Sequence, residues 1–235
     1  MTNISTTNIP SGITNAALDT VMQSYGAPDP TVFHTYFNDF DVYTAGDWTN
    51  TATGVVTNSI LASGAVDGGI LSMVNSAANN DLNSLQLKAA TFGLIAGNKW
   101  WLKARFSVDS ATNAALILGL IQTTTTPLTV TNGVYFSKAA ASTSLVANVT
   151  KASVTSSLNI GTLSNLAYVN VGLHYNGDST ITVYLNNAKV GALATTNMPT
   201  TNLNLTLAVA NGTAALNTLL VDYVLVSTER PSTLL

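Results

Sequence analysis

The feature that most constrains this chain is a two-residue alternation of apolar and polar side chains, repeated in short runs along most of its 235 residues. It is plain in WWLKARFSV, where Leu102, Ala104, Phe106 and Val108 oppose Trp101, Lys103 and Arg105. It recurs in YVNVGLHY (Tyr168 to Tyr175), TITVYL (Thr180 to Leu185) and LNLTLAV (Leu203 to Val209). Period two places successive side chains on opposite faces of a β-strand, so each run buries one face and wets the other. The run AALILGLIQ is almost continuously apolar, as in a central strand covered on both sides or by a partner. Its short length and Gly119 favour strand over buried helix.

Turn chemistry divides these runs. Asn132-Gly133, Asn176-Gly177 and Asn211-Gly212 each sit between strand-like segments and predict hairpins, because both residue types tolerate positive φ; Asn186-Asn187 reads the same way. Roughly a dozen candidate strands follow at the spacing of a sandwich or barrel. TTTTPLTVTNG, Thr123 to Gly133, reads as a loop before VYFSK. No fixed repeat suggests a propeller or β-helix. The expected fold class is all-β, in one domain.

Residues 1–34 differ from the rest. TNAALDTVMQSYG carries Leu18, Val21, Met22 and Tyr25 at helical spacing, with Thr14 or Asn15 as N-cap and Gly26 as stop before Pro28. The flanks are rich in Thr, Asn, Pro and Gly, which predicts an N-terminal arm with one short helix over 1–34 and a β domain over 35–235. Such an arm either packs on its own domain or docks on a neighbouring subunit.

Composition narrows the function classes. Charged residues make up 8% of the chain and the net charge is −3; about 35 Thr and about 25 Asn supply polarity instead. Eight scattered basic residues give no footprint for nucleic acid. No apolar run approaches the length of a spanning helix, so no membrane partner is expected, and MTNISTTNIPSG has no secretory pattern, which predicts synthesis in a cytoplasm. Without cysteine, disulfides and thiolate metal sites are excluded.

YVNVGLHYNGDSTITVYLNNAKVG, Tyr168 to Gly191, resembles the strand-turn-strand pattern of concanavalin A-like, laminin-G-like jelly rolls. TLLVDYVLVSTERP, Thr218 to Pro231, is similar to their closing strand, which would pair with an opening strand at Tyr36 to Val42. The resemblance implies a jelly-roll β-sandwich of concanavalin A-like type behind the arm. Low charge, Thr/Asn richness and the arm also resemble phage virion proteins of the head decoration or cement type. That resemblance implies a capsid protein partner, a place on the capsid exterior after synthesis in the host cytoplasm, and a homo-oligomer, with a trimer favoured by the apolar run Ala114 to Ile121. The alternative is a carbohydrate-binding module or fibre protein that recognises a cell-surface glycan.

Particular residues bear on each candidate chemistry. Glycoside hydrolases of the jelly-roll class carry E-x-D-x-x-E, which places a nucleophile and a general acid about 5 Å apart; the single glutamate here is Glu229, so the motif is absent. Asp39 and Asp41 would share one face if FNDFDVY were a strand. Asn38, Asp39, Asp41, Thr44 and Asp47 could contribute oxygens to calcium, but Tyr43 falls where a calcium loop needs a ligand. His34 and His174 lack a nucleophile context. The expectation is no enzyme, no catalytic residues, no metal and no cofactor. Interaction residues are sought instead in the helix stripe and at Trp100 and Trp101, adjacent on one strand so that one faces inward. The outward Trp would stack on a sugar, fill an interface or lie beneath the arm.

Overall fold

The alternating runs become strands whose inward residues meet in one core. A computed structural model describes residues 32–62 and 68–230, and the helix stripe Leu18, Val21, Met22 and Tyr25 lies outside them. The strands are β1 (Phe33–Asn38), β2 (Trp48–Thr53), β3 (Val56–Ala62), β4 (Gly69–Asn75), β5 (Leu82–Phe92), β6 (Trp100–Val108), β7 (Ala114–Ile121) and β8 (Gly133–Lys138). They continue as β9 (Ser144–Lys151), β10 (Val154–Thr162), β11 (Val169–Tyr175), β12 (Thr180–Leu185), β13 (Ala188–Ala194), β14 (Leu203–Asn211) and β15 (Thr218–Glu229).

They form two antiparallel sheets. One has eight strands, in the order β13-β12-β11-β6-β15-β4-β3 with β1 also pairing β15; the other has seven, β10-β9-β8-β7-β14-β5-β2. The sheets pack face to face as the expected jelly-roll sandwich. Leu102, Ala104 and Phe106 of β6 and Val171 and Leu173 of β11 face Leu116, Leu118 and Leu120 of β7 and Leu205, Leu207 and Val209 of β14 in a single core. Each fully buried Leu, Val or Phe contributes about 1.5–3 kcal/mol of transfer free energy, which a chain without disulfides depends on.

The opening strand does pair with the closing one, from Phe33↔Glu229 to Asn38↔Val224, but it is not Tyr36 to Val42. It starts at Phe33 and stops at Asn38, whose side-chain oxygen accepts the Phe40 amide at 2.8 Å. Phe40 turns to φ 51° and is wholly buried. Asp39 and Asp41 therefore do not share a strand face. A local side-chain-to-backbone bond competes with the ladder here and ends it.

The predicted turns divide. Asn186 and Asn187, at φ 50° and 64°, make the two-residue hairpin between β12 and β13, and Gly177, at φ 89°, lies in the β11–β12 loop. Asn132-Gly133 is not a hairpin: Gly133 begins β8, and a Cβ on it would lie 2.7 Å from the Leu120 carbonyl oxygen. Asn211-Gly212 is not one either. Asn211 is buried and donates to the carbonyls of Ser76 (2.6 Å) and Ala78 (2.8 Å), while its Oδ1 accepts from Asn75 (3.2 Å) and Asn217 (2.9 Å). These amides tie the β4–β5 loop to the β14–β15 crossing between sheets, which satisfies backbone carbonyls that burial would otherwise orphan.

Candidate functional site

Two sheet faces point away from the core, and they differ in what their side chains have left to offer. On the seven-stranded sheet the larger polar side chains bond within the chain, although the buried Ser84 hydroxyl has no partner among the described residues. Gln86 on β5 donates to Thr206 on β14 (2.9 Å) and accepts the Thr124 amide (3.1 Å), and Asn204 donates to Thr123 (3.1 Å). Tyr135, Thr150 and Thr155 form a hydroxyl chain across β8, β9 and β10. The loop 122–132, expected from its composition, folds back over this face. Ile117, Ile121, Tyr135 and Ala208 form a sealed apolar cluster against Leu82 and Val130. The outward half of the Ala114 to Ile121 run is thus buried inside the chain, and it no longer motivates an oligomer.

The eight-stranded sheet is built otherwise. In WWLKARFSV, Trp100 goes into the core at 1% exposure and Trp101 faces outward, followed on the same side by Lys103 and Arg105. Antiparallel register sets His174 and Ser227 beside Trp101, Gly172 and Leu225 beside Lys103, and Asn170 and Tyr223 beside Arg105. The Trp101 and His174 rings stack with centroids 5.0 Å apart and planes at 10°, and Phe33 of β1 meets Trp101 edge-on at 5.3 Å. Gly172 leaves a dip between Lys103 and Tyr184, and the nearest atom a Cβ there would meet is Tyr184 Cβ at 3.5 Å, an ordinary contact. The result is a row of three packed rings, Phe33, Trp101 and His174, beside a shallow floor.

Its electrostatics follow from a bulge. The register between β15 and β6 slips at Val221/Tyr223, and the extra residue, Asp222, turns its carboxylate to Arg105 Nη1 at 2.5 Å. Arg105 also lies over the Tyr168 ring at 4.4 Å. Tyr223 donates to Asn170 Oδ1 at 2.8 Å, and burial, then Asp222, raises its pKa. Burial, then the charge of Lys99, holds the His174 pKa below the ordinary imidazole range against the opposing pull of Asp178. His174 is thereby kept a neutral ring, suited to stacking. His34, the other histidine, stacks on Phe92 at 4.8 Å beneath β1.

Among the described residues no three His, Asp or Glu side chains cluster as metal ligands, and no helix is long and apolar enough to cross a membrane. One residue the sequence reading passed over is Lys138. It follows Val134 and Phe136 inward along β8 and is 2% exposed, its ammonium bonded to the carbonyls of Ala114 and of Thr112 (3.4 Å). Burial lowers its pKa to about 8. Extending the alternation of VYFSK by one step would have found it.

No protein-family model matches the chain, and no curated protein matches it in sequence. Solved structures do share its fold. The carbohydrate recognition domain of Emp47p superposes with a TM-score of 0.60 at 12% identity, over 87% of this chain and 100% of that one. An endo-1,3-β-glucanase from Streptomyces sioyaensis gives 0.57 at 12% identity, over 87% and 100%. A carbohydrate esterase from the Shiga toxin-encoding bacteriophage phi24B gives 0.50 at 15%, over 78% and 90%. The likeness establishes the concanavalin A-like jelly roll. It also corrects the expectation that the chain is no enzyme: the same sandwich carries a glucanase and an esterase, so a missing E-x-D-x-x-E motif does not exclude catalysis.

Proposed function

We propose that this chain is a carbohydrate-binding domain that holds a saccharide on the outer face of its eight-stranded sheet. The observation that carries the reading is the Trp101–His174 stack, two nearly parallel rings with centroids 5.0 Å apart on a face whose neighbours leave a dip at Gly172. The exposed ring edges beside the dip offer a sugar ring apolar contact, and Thr182 and Asn170 stand at the rim with a hydroxyl and an amide. Carbohydrate recognition and carbohydrate-active proteins on the same sandwich support this reading. The capsid decoration reading rests on composition and the N-terminal arm, since the apolar run that suggested subunit contacts is covered within the chain.

A glycan array followed by titration calorimetry tests it. Trp101→Ala should weaken binding of the captured glycan by about 10-fold or more and, because it also removes the ring contacts to His174 and Phe33, lower the melting temperature by a few degrees without unfolding the core. Unchanged affinity in this variant, or no captured glycan at all, would sink the proposal.

A further inference from the structure

We propose that residues 14–26 of this chain dock on an apolar strip that β1 and β15 present on the outer face of the eight-stranded sheet. The inference concerns a different part of that face from the saccharide reading and stands apart from it.

The strip follows from period two. On β1, His34 stacks on buried Phe92 and Tyr36 meets buried Trp48, so Phe33, Thr35 and Phe37 face outward. Phe37 is 59% exposed, the most exposed aromatic ring among the described residues, and its partner in register is the half-buried Leu225. Thr35, between the two phenylalanines, shares a hydrogen bond with the Ser227 hydroxyl at 2.8 Å. An apolar cover over this strip therefore strands no side-chain hydroxyl. Among the described strands β1 pairs with β15 alone. An edge strand that shows an apolar face to water is one that folded proteins cover.

The chain itself supplies the cover. Residues 14–26 lie outside the described residues; in sequence they carry Leu18, Val21, Met22 and Tyr25 at the spacing of one helical face, with Asp19 as their one charge. A helical stripe from Leu18 to Tyr25 rises about 10 Å, and the strip from Phe33 to Phe37 runs about 13 Å, so the two surfaces match in length. The chain also enters the sheet beside the strip, where the Val32 carbonyl accepts the Arg230 amide at 2.8 Å and Phe33 follows. Residues 27–32 reach about 20 Å at most, enough to turn back over β1, and Pro28 and Pro30 interrupt any helix there. Such a tether sets an effective concentration on the order of millimolar, so a modest contact is enough. Fold-back sets Tyr25 toward Phe33 and Leu18 toward Phe37. The Gly172 dip lies two strand spacings, about 10 Å, beyond Leu225, so a helix over β1 and β15 borders it without filling it.

The test uses the full chain, whose lack of cysteine makes paired cysteines specific reporters. Met22→Cys is combined with Thr35→Cys or, as a control on the same face, with Thr182→Cys, four strand spacings or about 19 Å away. Each pair is oxidised mildly at low protein concentration and followed on non-reducing gels. The internal cross-link should form at least about 5-fold faster with Thr35→Cys than with the control, and adding either Val21→Asp or the surface change Phe37→Ser should erase that margin. Equal rates at the two positions would overturn the docking site. A margin that survives both added changes would overturn the apolar contact. Cross-links between chains in place of internal ones would overturn docking within the chain and assign the strip to a second copy. None of these outcomes bears on glycan capture, which tests the saccharide reading by itself.

Discussion

The outer faces of the two sheets look alike as sequence and behave differently as surfaces. LNLTLAVAN of β14 and WWLKARFSV of β6 both alternate, yet every residue of the first is buried whereas Trp101, Lys103 and Arg105 of the second are partly open. On the seven-stranded sheet, Gln86, Thr206, Asn204 and Tyr135 have spent their hydrogen bonds on each other and on the 122–132 loop. On the eight-stranded sheet a stacked ring pair and a lysine over the Tyr223 ring remain. In a chain that is 8% charged, the place where charge and aromatics gather is informative. Polar residues that satisfy one another are structure, and those left with capacity are candidates for binding.

This contrast can be broken most directly at Ile121. It points away from the core but is 0% exposed, so Ile121→Asp should bury an unpaired carboxylate and cost about 4 kcal/mol or more, or prevent folding. Denaturant unfolding that matched the parent would mean that the face is open after all. A gentler probe is Thr206→Val, which removes the hydroxyl that accepts from buried Gln86; about 1–2 kcal/mol should be lost, with glycan affinity unchanged. A drop in affinity there would move the site to the seven-stranded sheet.

The smallest expected effect is on pH dependence. Burial lowers the pKa of His174 and of His34 below 6.5, with Lys99 acting in the same direction on the first and Arg230 on the second. Folding therefore favours the neutral rings. Their contribution is fully present above 6.5 and is lost as pH falls toward the lowered values, because the unfolded chain then binds protons that the folded one resists. Melting temperature should fall in that window, and His174→Gln should flatten part of the fall. A profile identical to the parent's would show that the stacked imidazole is not held neutral.

Much of the sandwich was legible in the chain. Alternation placed β6, β11, β12 and β14, turned Trp100 inward and Trp101 outward, and the Asn186-Asn187 pair marked a tight hairpin. The misreadings have local causes. Ala152-Ser153 makes a two-residue turn at φ 49° and 65° with no Asn or Gly to announce it; amide bonds to Asn132 Oδ1 and to the Thr131 carbonyl hold it instead. Asn211 carries turn chemistry but serves as a buried hub, since an amide with a donor and an acceptor suits a crossing between sheets as well as it suits a hairpin. The Asp39 and Asp41 pairing failed because Asn38 ended the strand before reaching them.

The candidate site divides in the same way. Which side chains share a face is a local property of period two, so Trp101, Lys103 and Arg105 could be grouped from β6 alone. Which strands lie beside β6 is decided by long-range register, and nothing near Trp101 in sequence points to His174, Phe33 or the bulge that delivers Asp222 to Arg105. The sequence by itself determined a two-faced all-β sandwich, because alternation and turn residues act within a few positions. Only the tertiary structure decided which of the two outer faces is sealed and which is open, because that depends on where a returning loop lands and on which hydrogen bonds close across strands far apart in the chain.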